Sequence, residues 1–409
     1  MNRVVITGAG VISPVGSGVE TFFDNLTQGV CGIGPITRFD TEGYKVKLAG
    51  EVKGFDPEAA GIDRAQAKRT DLFAQYAMAA AIQAVEDSGI EGAVAPERFG
   101  VYVGSGIGGM QTFVQETEKL LNRGPGRVSP FFVPMMIGNM AAGNIAIRFG
   151  AQGPCLPVVT ACATSSHAVG EAFHAIKYGL ADAIIAGGAE ATIIPLAVAG
   201  FSNMKALSES EDPNAASLPF DARRGGFVMS EGSGILVLEE LEHARARGAK
   251  IYAEICGYGN TCDAYHITAP QPEGIGAANA IRLALEEAGY DGEKLYINAH
   301  GTGTAMNDKG ETLAIKKALG EERARAALIS STKSMTGHML GAAGGVEAIA
   351  CAMALKTGIV PPTLHLDQPD PECDLNYVPN RAVKGDPEVA ISSSLGFGGH
   401  NAVIAMRKL

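Results

Sequence analysis

The stretch VVTACATSSHAVGEAF, residues 158–173, joins a β-branched run to a run of small residues. Residues 158–160 suit a strand, whereas apolar residues at 168, 169, 172, 175 and 176 recur at helical spacing. The pattern changes at 161–163, which predicts that Cys162 lies at a helix N-terminus, where the helix dipole favours a thiolate. Cys162 is therefore a candidate nucleophile, and a small buried hydrophobe is the alternative interpretation.

Strand-like and helix-like segments alternate along the whole chain, which predicts a layered α/β fold. In the first part, we expect strands at 3–7 (followed by a glycine-rich turn), 100–104, 158–160, 181–190 and 232–241, and helices at 73–88, 140–149 and after Cys162. From about residue 251 a similar series begins again, with strands at 251–259 and 295–298, helices at 276–288 and 307–319, a strand, a glycine-rich loop and a helix within 327–358, and a closing strand pair at 389–409. The repetition predicts an internal duplication, with fused halves at 1–250 and 251–409.

The composition excludes several classes of protein. The 409 residues are 46% hydrophobic and 19% charged, as in a globular chain with a large core. The formal net charge of −11 disfavours nucleic acid and anionic membranes as partners of the surface as a whole. Seven cysteines without a CxxC pair predict a reducing, cytoplasmic location. The chain starts with a strand-like segment, so we expect no signal peptide, and the uncharged segment 128–147 is interrupted by proline and asparagine, which predicts buried protein and not a membrane span.

Two patterns resemble cofactor sites only weakly. GSGIGG at 104–109 matches the dinucleotide-binding pattern, but no acidic residue follows at a suitable distance. Cys256, Cys262 and His266 lack a fourth ligand and match no zinc spacing. We therefore expect neither a nicotinamide cofactor nor a metal centre.

Residues of the second half supply groups that a thiol nucleophile needs. His300 lies in NAHGTGT, after a strand-like segment, and His338 lies in STKSMTGHMLGAAGG. Lys333 and Glu347 are the only charges in that second region, and buried charges need a partner or a task. Glycines flank Phe397 in SLGFGGHNA, so backbone N–H groups can approach a ligand there. For each residue alone, a structural histidine, a solvated lysine or a helix-face charge is the alternative.

Five motifs together resemble the condensing enzymes of fatty-acid synthesis, the β-ketoacyl-acyl-carrier-protein (ACP) synthases, and most closely their elongating type II members. The motifs are VVTACATSS, PFDARRGGFVMSEGSG, NAHGTGT, STKSMTGHMLGAAGGVEA and SSSLGFGGHN. The resemblance covers essentially the whole chain. It implies the thiolase fold, with duplicated βαβαβαββ halves in a five-layered αβαβα arrangement, and a homodimer in which the partner closes an acyl pocket near SPFFVP, residues 129–134.

The resemblance also implies a catalytic role for six residues. Cys162 accepts the acyl chain from acyl-ACP, and His300 and His338 donate hydrogen bonds to the thioester oxygen of malonyl-ACP during decarboxylation. The backbone N–H groups of Cys162 and Phe397 form the second oxyanion hole. Lys333 supports His338, and Glu347 fixes Lys333 and contributes to a structural monovalent cation site. No other cofactor is implied.

Substrate and partner contacts follow from the same resemblance. It implies that Ile107 lines the acyl pocket, that Phe397 is a gate, and that the pantetheine arm and its surroundings involve Thr268, Thr302, Thr304, Gly398 and Gly399. ACP is acidic, so docking needs a local basic patch. The implied docking residues are Arg64, Lys68, Arg69, Arg127 and Lys205. The alternative roles are turn capping for the threonines, a packed aromatic ring for Phe397 and a solvated helix face for the basic residues.

Other members of the superfamily are alternative interpretations. A type I synthase or a polyketide ketosynthase would share most of the motifs. A non-catalytic acyl-binding partner subunit would lack the cysteine, and a thiolase would carry a second cysteine in GFGGHN. Cys162, His300 and His338 together favour an elongating enzyme, because initiating synthases carry asparagine at one histidine position.

Overall fold

A computed structural model describes residues 1–409 of the chain. The strands are β1 Val4–Ser13, β2 Gly16–Ser17, β3 Gly34–Pro35, β4 Leu48–Ala49, β5 Phe99–Gly104, β6 Ala183–Glu190, β7 Gly232–Glu240, β8 Glu254–Cys262, β9 Leu295–Asn298, β10 Leu328–Ser330, β11 Ile359–Val360, β12 Val383–Lys384, β13 Val389–Gly396 and β14 His400–Arg407. The helices are α1 Val19–Gln28, α2 Arg64–Ala67, α3 Leu72–Ser88, α4 Met110–Arg123, α5 Phe132–Met136, α6 Met140–Phe149, α7 Thr164–Lys177, α8 Pro195–Asn203, α9 Leu241–Ala246, α10 Ile275–Glu287, α11 Ala305–Leu319, α12 Glu321–Ala326, α13 Lys333–Thr336 and α14 Ala343–Thr357. Two short 3-10 helices, Ala161–Ala163 and Leu340–Ala342, precede α7 and α14.

The main strands form one mixed sheet in the order β10-β9-β13-β14-β8-β1-β7-β6-β5, and β2 pairs with β1. Strands β5 and β6 are parallel, and β6, β7 and β1 then pair antiparallel. Strands β9, β13, β14 and β8 repeat this pattern of one parallel and two antiparallel pairings. The two groups meet only through a short β1–β8 pairing at Val4 and Val5. The domain boundary near residue 250 stays a prediction, although both groups share one pairing pattern.

Helices form three layers around the two groups of strands. Helix α3 packs on β1 and β7, and α10 packs on β8 and β14 and is backed by α11. Helices α7 and α14 contact each other and strands of both groups, so they form the middle layer. The largest apolar cluster, of 47 buried residues, includes both middle helices and the strand faces beside them, which places the main core there. The layered α/β arrangement predicted from the sequence is confirmed.

Helix α3 shows why these residues form these elements. Asp71 caps its N-terminus by accepting a hydrogen bond from the Phe73 amide, and Gly89 ends it in the left-handed conformation. Small residues let the helix lie directly on β1, because a β-carbon at Gly8 or Gly10 would collide with α3 carbonyl groups. The predicted glycine-rich turn after residue 7 is therefore wrong, since β1 continues to Ser13.

The predicted strand at 158–160 is also absent. The backbone of Thr160 has φ −140° and ψ 44°, outside the extended region, and the nearest ladder contact is an isolated parallel bridge between Cys155 and Val101 of β5. Val159 is 60% exposed. The β-branched composition thus gives an irregular segment at the sheet edge without a regular ladder.

One apolar helical segment is long enough to cross a membrane by length and composition, Leu340–Thr357. It is 89% buried inside the protein, where α14 forms the middle layer, so it is a core helix. The uncharged segment 128–147 folds largely into the short helices α5 and α6.

Candidate active site

Cys162 lies in a tight turn where the irregular edge segment enters α7. Ala161, the preceding residue, has a positive φ of 50°, and the Thr160 carbonyl accepts a hydrogen bond from the Ala163 amide (3.0 Å). The hydroxyl of Thr164 accepts a bond from the Thr160 amide (2.9 Å). The strained turn holds Cys162 just before α7, as the sequence predicts.

A cavity of about 420 Å³ opens in front of Cys162. Most residues predicted for catalysis and pantetheine binding line it, namely Cys162, Thr268, Thr302, Thr304, His300, His338, Phe397 and Gly399. Cys162 lies between α6 and α7, and the others lie on segments that follow β8, β9, β10 and β13, so residues far apart in sequence meet at one site.

The two histidines face each other across the inner end of the cavity. Their ring centroids are 5.3 Å apart and the rings are nearly perpendicular. The His338 amide donates to the Val228 carbonyl (2.7 Å), which fixes its backbone. Three ring nitrogens have no hydrogen-bond partner, namely Nδ1 and Nε2 of His338 and Nδ1 of His300. Burial, and then the charge of Lys333, lower the pKa of both imidazoles well below their usual value, so both are neutral N–H donors.

Two buried carboxylates position the loop that carries His300. Glu311, on α11, accepts hydrogen bonds from the amides of His300 (2.7 Å) and Gly301 (2.8 Å), and burial raises its pKa to about 7. Asp308 accepts from the Gly303 amide (3.2 Å) and from the Phe220 amide (2.8 Å). Sequence reasoning missed both residues, and the only signal was an acid at the start and middle of a helix that follows a glycine-rich turn.

Lys333 and Glu347 form the buried ion pair that the sequence predicts behind the histidines. The Lys333 ammonium bonds Glu347 Oε1, and the side chains are 1% and 2% exposed. Burial raises the pKa of Glu347 to about 7, and the charge of Lys333 opposes that shift. The second oxygen of Glu347 has no partner.

The unpartnered Glu347 oxygen belongs to a set suited to a cation. Asn298 Oδ1 and Ser392 Oγ also lack partners, and these two residues are paired neighbours on β9 and β13. Helix α14, which carries Glu347, packs against both strands. A carboxylate, an amide and a hydroxyl oxygen are ligands for hard cations, so the residues fit the predicted monovalent cation.

The protonation of Cys162 differs from the expectation for a helix N-terminus. Burial raises its pKa to about 12, although the charge of Lys333 and the backbone N–H groups of Phe397 and Cys162 lower it. The resting cysteine is therefore a thiol, because desolvation outweighs the helix terminus. The same two N–H groups lie beside the sulfur, where the predicted oxyanion hole needs them.

Phe397 sits in a loop tied to the segment after β8. Its ring centroid lies 6.4 Å from that of Phe201. Gly398 and Gly399 have φ of 88° and 78°, values that other residues rarely adopt. The Gly398 amide donates to the Ile267 carbonyl and the Gly399 carbonyl accepts from the Asp263 amide, both at 2.8 Å. The glycines give the predicted gate its backbone freedom, whereas Gly398 itself does not line the cavity.

The predicted pantetheine residues line the outer part of the cavity. The hydroxyls of Thr302 and Thr304 are 3.0 Å apart, and Thr268 lies opposite, in the loop after β8. Arg224, which sequence reasoning missed, also lines this part. Its guanidinium bonds Asp370 (2.6 Å) and the carbonyl group of Thr304 (3.4 Å), so it holds the threonine loop.

Other predicted residues do not lie at the cavity. Ile107 is 40% exposed and does not line it, so the residue predicted for the acyl pocket lies outside this cavity. Arg64, Lys68, Arg69 and Arg127 are exposed outside the cavity, and only Lys205 reaches its rim. Of the basic residues near 64, Arg64 begins the short helix α2, Lys68 is its C-cap, and Arg69 lies beyond its end.

Comparison with known proteins supplies the family. The family models described as Beta-ketoacyl synthase, N-terminal domain and Beta-ketoacyl synthase, C-terminal domain match residues 1–244 and 252–367. The chain belongs to the β-ketoacyl synthase family. It is 53% identical over 408 residues to a 3-oxoacyl-[acyl-carrier-protein] synthase 2 of Staphylococcus aureus (strain COL), covering 99% of this chain and 98% of the relative.

Two solved structures agree with this assignment. A beta-ketoacyl synthase from Burkholderia phymatum STM815 shares 35% identity with a TM-score of 0.92, covering 100% of both chains. A ketosynthase solved with its type II polyketide acyl-carrier protein and bound to a hexaketide shares 35% identity with a TM-score of 0.91, covering 100% of this chain and 99% of that one. The predicted thiolase fold and the predicted activity of this β-ketoacyl synthase, an acyltransferase of the condensing 3-oxoacyl-ACP synthase type, are thereby confirmed.

Proposed function

We propose that this synthase lengthens an acyl chain held on Cys162 by two carbons taken from malonyl-ACP, with His300 and His338 stabilising the decarboxylation. The observation that carries the proposal is that one nucleophilic sulfur and two neutral imidazoles line the same cavity. The cavity also carries threonines suited to a pantetheine arm at its outer end.

The first step transfers the acyl group. The Cys162 sulfur attacks the acyl-ACP thioester carbon, the carbonyl oxygen becomes an oxyanion, and the N–H groups of Cys162 and Phe397 donate to it. Collapse breaks the bond to the carrier sulfur, which takes up the proton that the cysteine loses. Since the resting cysteine is a thiol, this proton transfer accompanies attack.

The second step forms the carbon–carbon bond. Malonyl-ACP loses CO₂, and the electron pair of the broken bond passes into an enolate whose oxygen accepts hydrogen bonds from His300 and His338. A single oxyanion donor typically contributes about 3–4 kcal/mol to a transition state. The enolate carbon attacks the acyl-cysteine carbonyl, the oxyanion hole acts again, and the Cys162 sulfur leaves. The cysteine thiolate then takes up a proton from solvent, and the product is 3-oxoacyl-ACP.

Lys333 keeps the histidines in their neutral state. The ammonium of Lys333 disfavours a second positive charge on either ring, and burial acts in the same direction. Glu347 compensates the lysine charge. A monovalent cation would be held by Glu347, Asn298 and Ser392, and its positive charge would stabilise the Glu347 carboxylate. A rise in melting temperature on addition of potassium would support this cation site.

ACP is the proposed carrier of both substrates, and the solved complex of a related ketosynthase with its acyl-carrier protein supports this. Lys205, exposed at the cavity rim, is the basic residue best placed to meet an acidic carrier. Arg69, whose guanidinium lies 4.9 Å from the Phe131 ring centroid, would extend the docking surface together with Arg64, Lys68 and Arg127.

A homodimer is proposed as the working assembly. Val133, Leu156 and Val159 are exposed by 55%, 46% and 60%, and Ile107 lies in the neighbouring loop region. A second copy of this chain would cover such apolar side chains and complete the acyl pocket beside Ile107. Light scattering on the purified protein should give twice the 42.2 kDa chain mass.

Intact-mass spectrometry tests the chemistry directly. The protein is mixed with decanoyl-ACP in the absence of malonyl-ACP, and one decanoyl-sized increase should map to Cys162. Cys162→Ala should gain nothing, whereas Cys262→Ala, which removes an exposed cysteine, should behave as the wild type. Acylation of Cys162→Ala, or no adduct on the folded wild type, would contradict the proposal.

A further inference from the structure

A buried carboxylate joins the two loops beside the nucleophile. Glu190 ends β6 and is fully buried. Its Oε1 accepts hydrogen bonds from the Ser105 hydroxyl (2.9 Å) and the Ile107 amide (3.3 Å). Its Oε2 accepts from the amides of Gly106 (2.9 Å) and Gly341 (3.0 Å). Both oxygens therefore hold donors, and these donors belong to two loops far apart in sequence.

All four donors are neutral, so no counter-ion accounts for this carboxylate. Only an ionised carboxylate accepts four hydrogen bonds without presenting a hydrogen of its own. Burial raises the pKa of Glu190 to about 7, and the four hydrogen-bond donors oppose that shift. The Glu190 side chain is thus a buried carboxylate that accepts four hydrogen bonds.

The two loops also contact the nucleophile turn at this point. A β-carbon on Gly106 would lie 2.7 Å from Glu190 Oε2 and 3.3 Å from the Ala161 carbonyl oxygen. On the other loop, Leu340 adopts a positive φ of 47° and packs in the same apolar cluster as Cys162. A shift of either loop would therefore change the space beside the sulfur.

We propose that Glu190 is a positioning residue that holds loop 105–108 and the turn Leu340–Ala342 beside Cys162 and thereby sets which acyl-chain lengths reach the nucleophile. The proposal rests on the proposed function, because it assumes that Cys162 carries the acyl chain. Because Leu340 packs in the same apolar cluster as Cys162, and Gly106 lies next to the Ala161 carbonyl group, an acyl chain that leaves the sulfur on that side passes both loops.

Glu190→Gln tests the inference with a nearly isosteric change. One carboxylate oxygen becomes an NH₂ group, which faces two N–H or O–H donors and pushes them away. We expect the kcat/KM of Cys162 acylation to fall about tenfold more with hexadecanoyl-ACP than with hexanoyl-ACP. Ser105→Ala, which removes one donor and keeps the carboxylate, should shift the same ratio by a smaller factor and serves if Glu190→Gln does not fold.

Glu239→Gln is the matched control. Glu239 is also fully buried, but it lies at the far end of the neighbouring strand β7, where it bonds Arg247 and His243. It should lower the melting temperature and leave the hexadecanoyl-to-hexanoyl ratio unchanged.

The outcomes separate the two levels of the argument. If the wild type is acylated by neither substrate, the proposed function fails. If the wild type is acylated and Glu190→Gln and Ser105→Ala keep its ratio, or lose both rates equally as Glu239→Gln does, Glu190 has a purely structural role and the inference is overturned.

Discussion

Lys333 and Glu347 form an ion pair in the middle of the core, and its removal has a predictable sign. We consider Lys333→Met, Glu347→Gln and the double variant. Each single change leaves one buried group without its opposite charge, because the two side chains are 1% and 2% exposed. The double change leaves two neutral groups of similar volume. It should therefore be less damaging than either single change.

The magnitude follows from burial. Removal of one partner of a buried pair typically costs about 3–5 kcal/mol. Unfolding entropy of roughly 2.1 cal/mol/K per residue gives about 0.9 kcal/mol/K for this chain, so each single variant should melt about 4–6 °C lower. The double variant should lose less free energy of unfolding than the sum of the two single losses, by at least about 2 kcal/mol.

The pH dependence carries a second signature of the pair. The folded pKa of Glu347, about 7, lies above its ordinary value of 4.5, so the folded state binds this proton more tightly. Stability therefore falls as pH rises from about 4.5 to about 7, by about 3 kcal/mol from this group. Glu347→Gln should remove that slope. Lys333→Met should raise the folded pKa further and extend the slope above pH 7.

Thermal unfolding at several pH values measures both effects, and malonyl-ACP decarboxylation shows whether the histidines remain competent. Arg245 and Glu242 are 54% and 71% exposed and form a matched surface pair (2.9 Å). The corresponding double-mutant cycle, made of Arg245→Met, Glu242→Gln and their double variant, should give a coupling free energy below about 1 kcal/mol. Additive effects at Lys333 and Glu347, or single variants no less stable than these surface variants, would refute the reasoning.

Three further predictions concern the nucleophile, a histidine loop and a layer contact. Because burial raises the pKa of Cys162 to about 12, the rate of its alkylation by iodoacetamide should rise about tenfold per pH unit and reach no plateau below pH 9. A plateau near neutral pH would contradict this prediction, because it would mean that the resting cysteine is a thiolate. Glu311→Gln should displace His300 and slow malonyl-ACP decarboxylation about 10–100-fold while Cys162 acylation persists, and equal rates in both assays would contradict the positioning role. Gly259→Ala should prevent folding, since its β-carbon would overlap the Ala280 carbonyl oxygen of α10. A circular dichroism spectrum and a melting temperature like those of the wild type would contradict this prediction, because they would show that the layers can separate there.

Residues near one another in sequence were predictable as secondary structure. Periodicity and capping signals placed α3 and α6 within one residue of their observed bounds, and the start of α7 just after Cys162. The same reasoning failed at Gly8 and Gly10, where local conformational freedom suggested a turn. The structure uses these glycines for close approach to α3 within a long strand, and such a contact has no local signal.

The candidate site was predictable where motifs carry chemistry and not where burial decides it. Cys162, His300 and His338 stood out by residue type and setting. Glu190 and Glu311 did not, because a lone acid in a sequence is usually a surface charge. Their function as acceptors for backbone amides exists only after the strands and α11 bury them.

The sequence by itself determined the layered α/β class and the repeated order of elements, because periodicity is a local property, and its motifs named Cys162, His300 and His338 as candidates through their resemblance to condensing enzymes. Only the tertiary structure decided that Cys162 rests as a thiol, that Lys333 and Glu347 are fully buried partners, and that Ile107 lies outside the cavity of one chain. Burial, dielectric environment and contacts between distant segments arise when the layers pack, so they are absent from any single stretch of the chain.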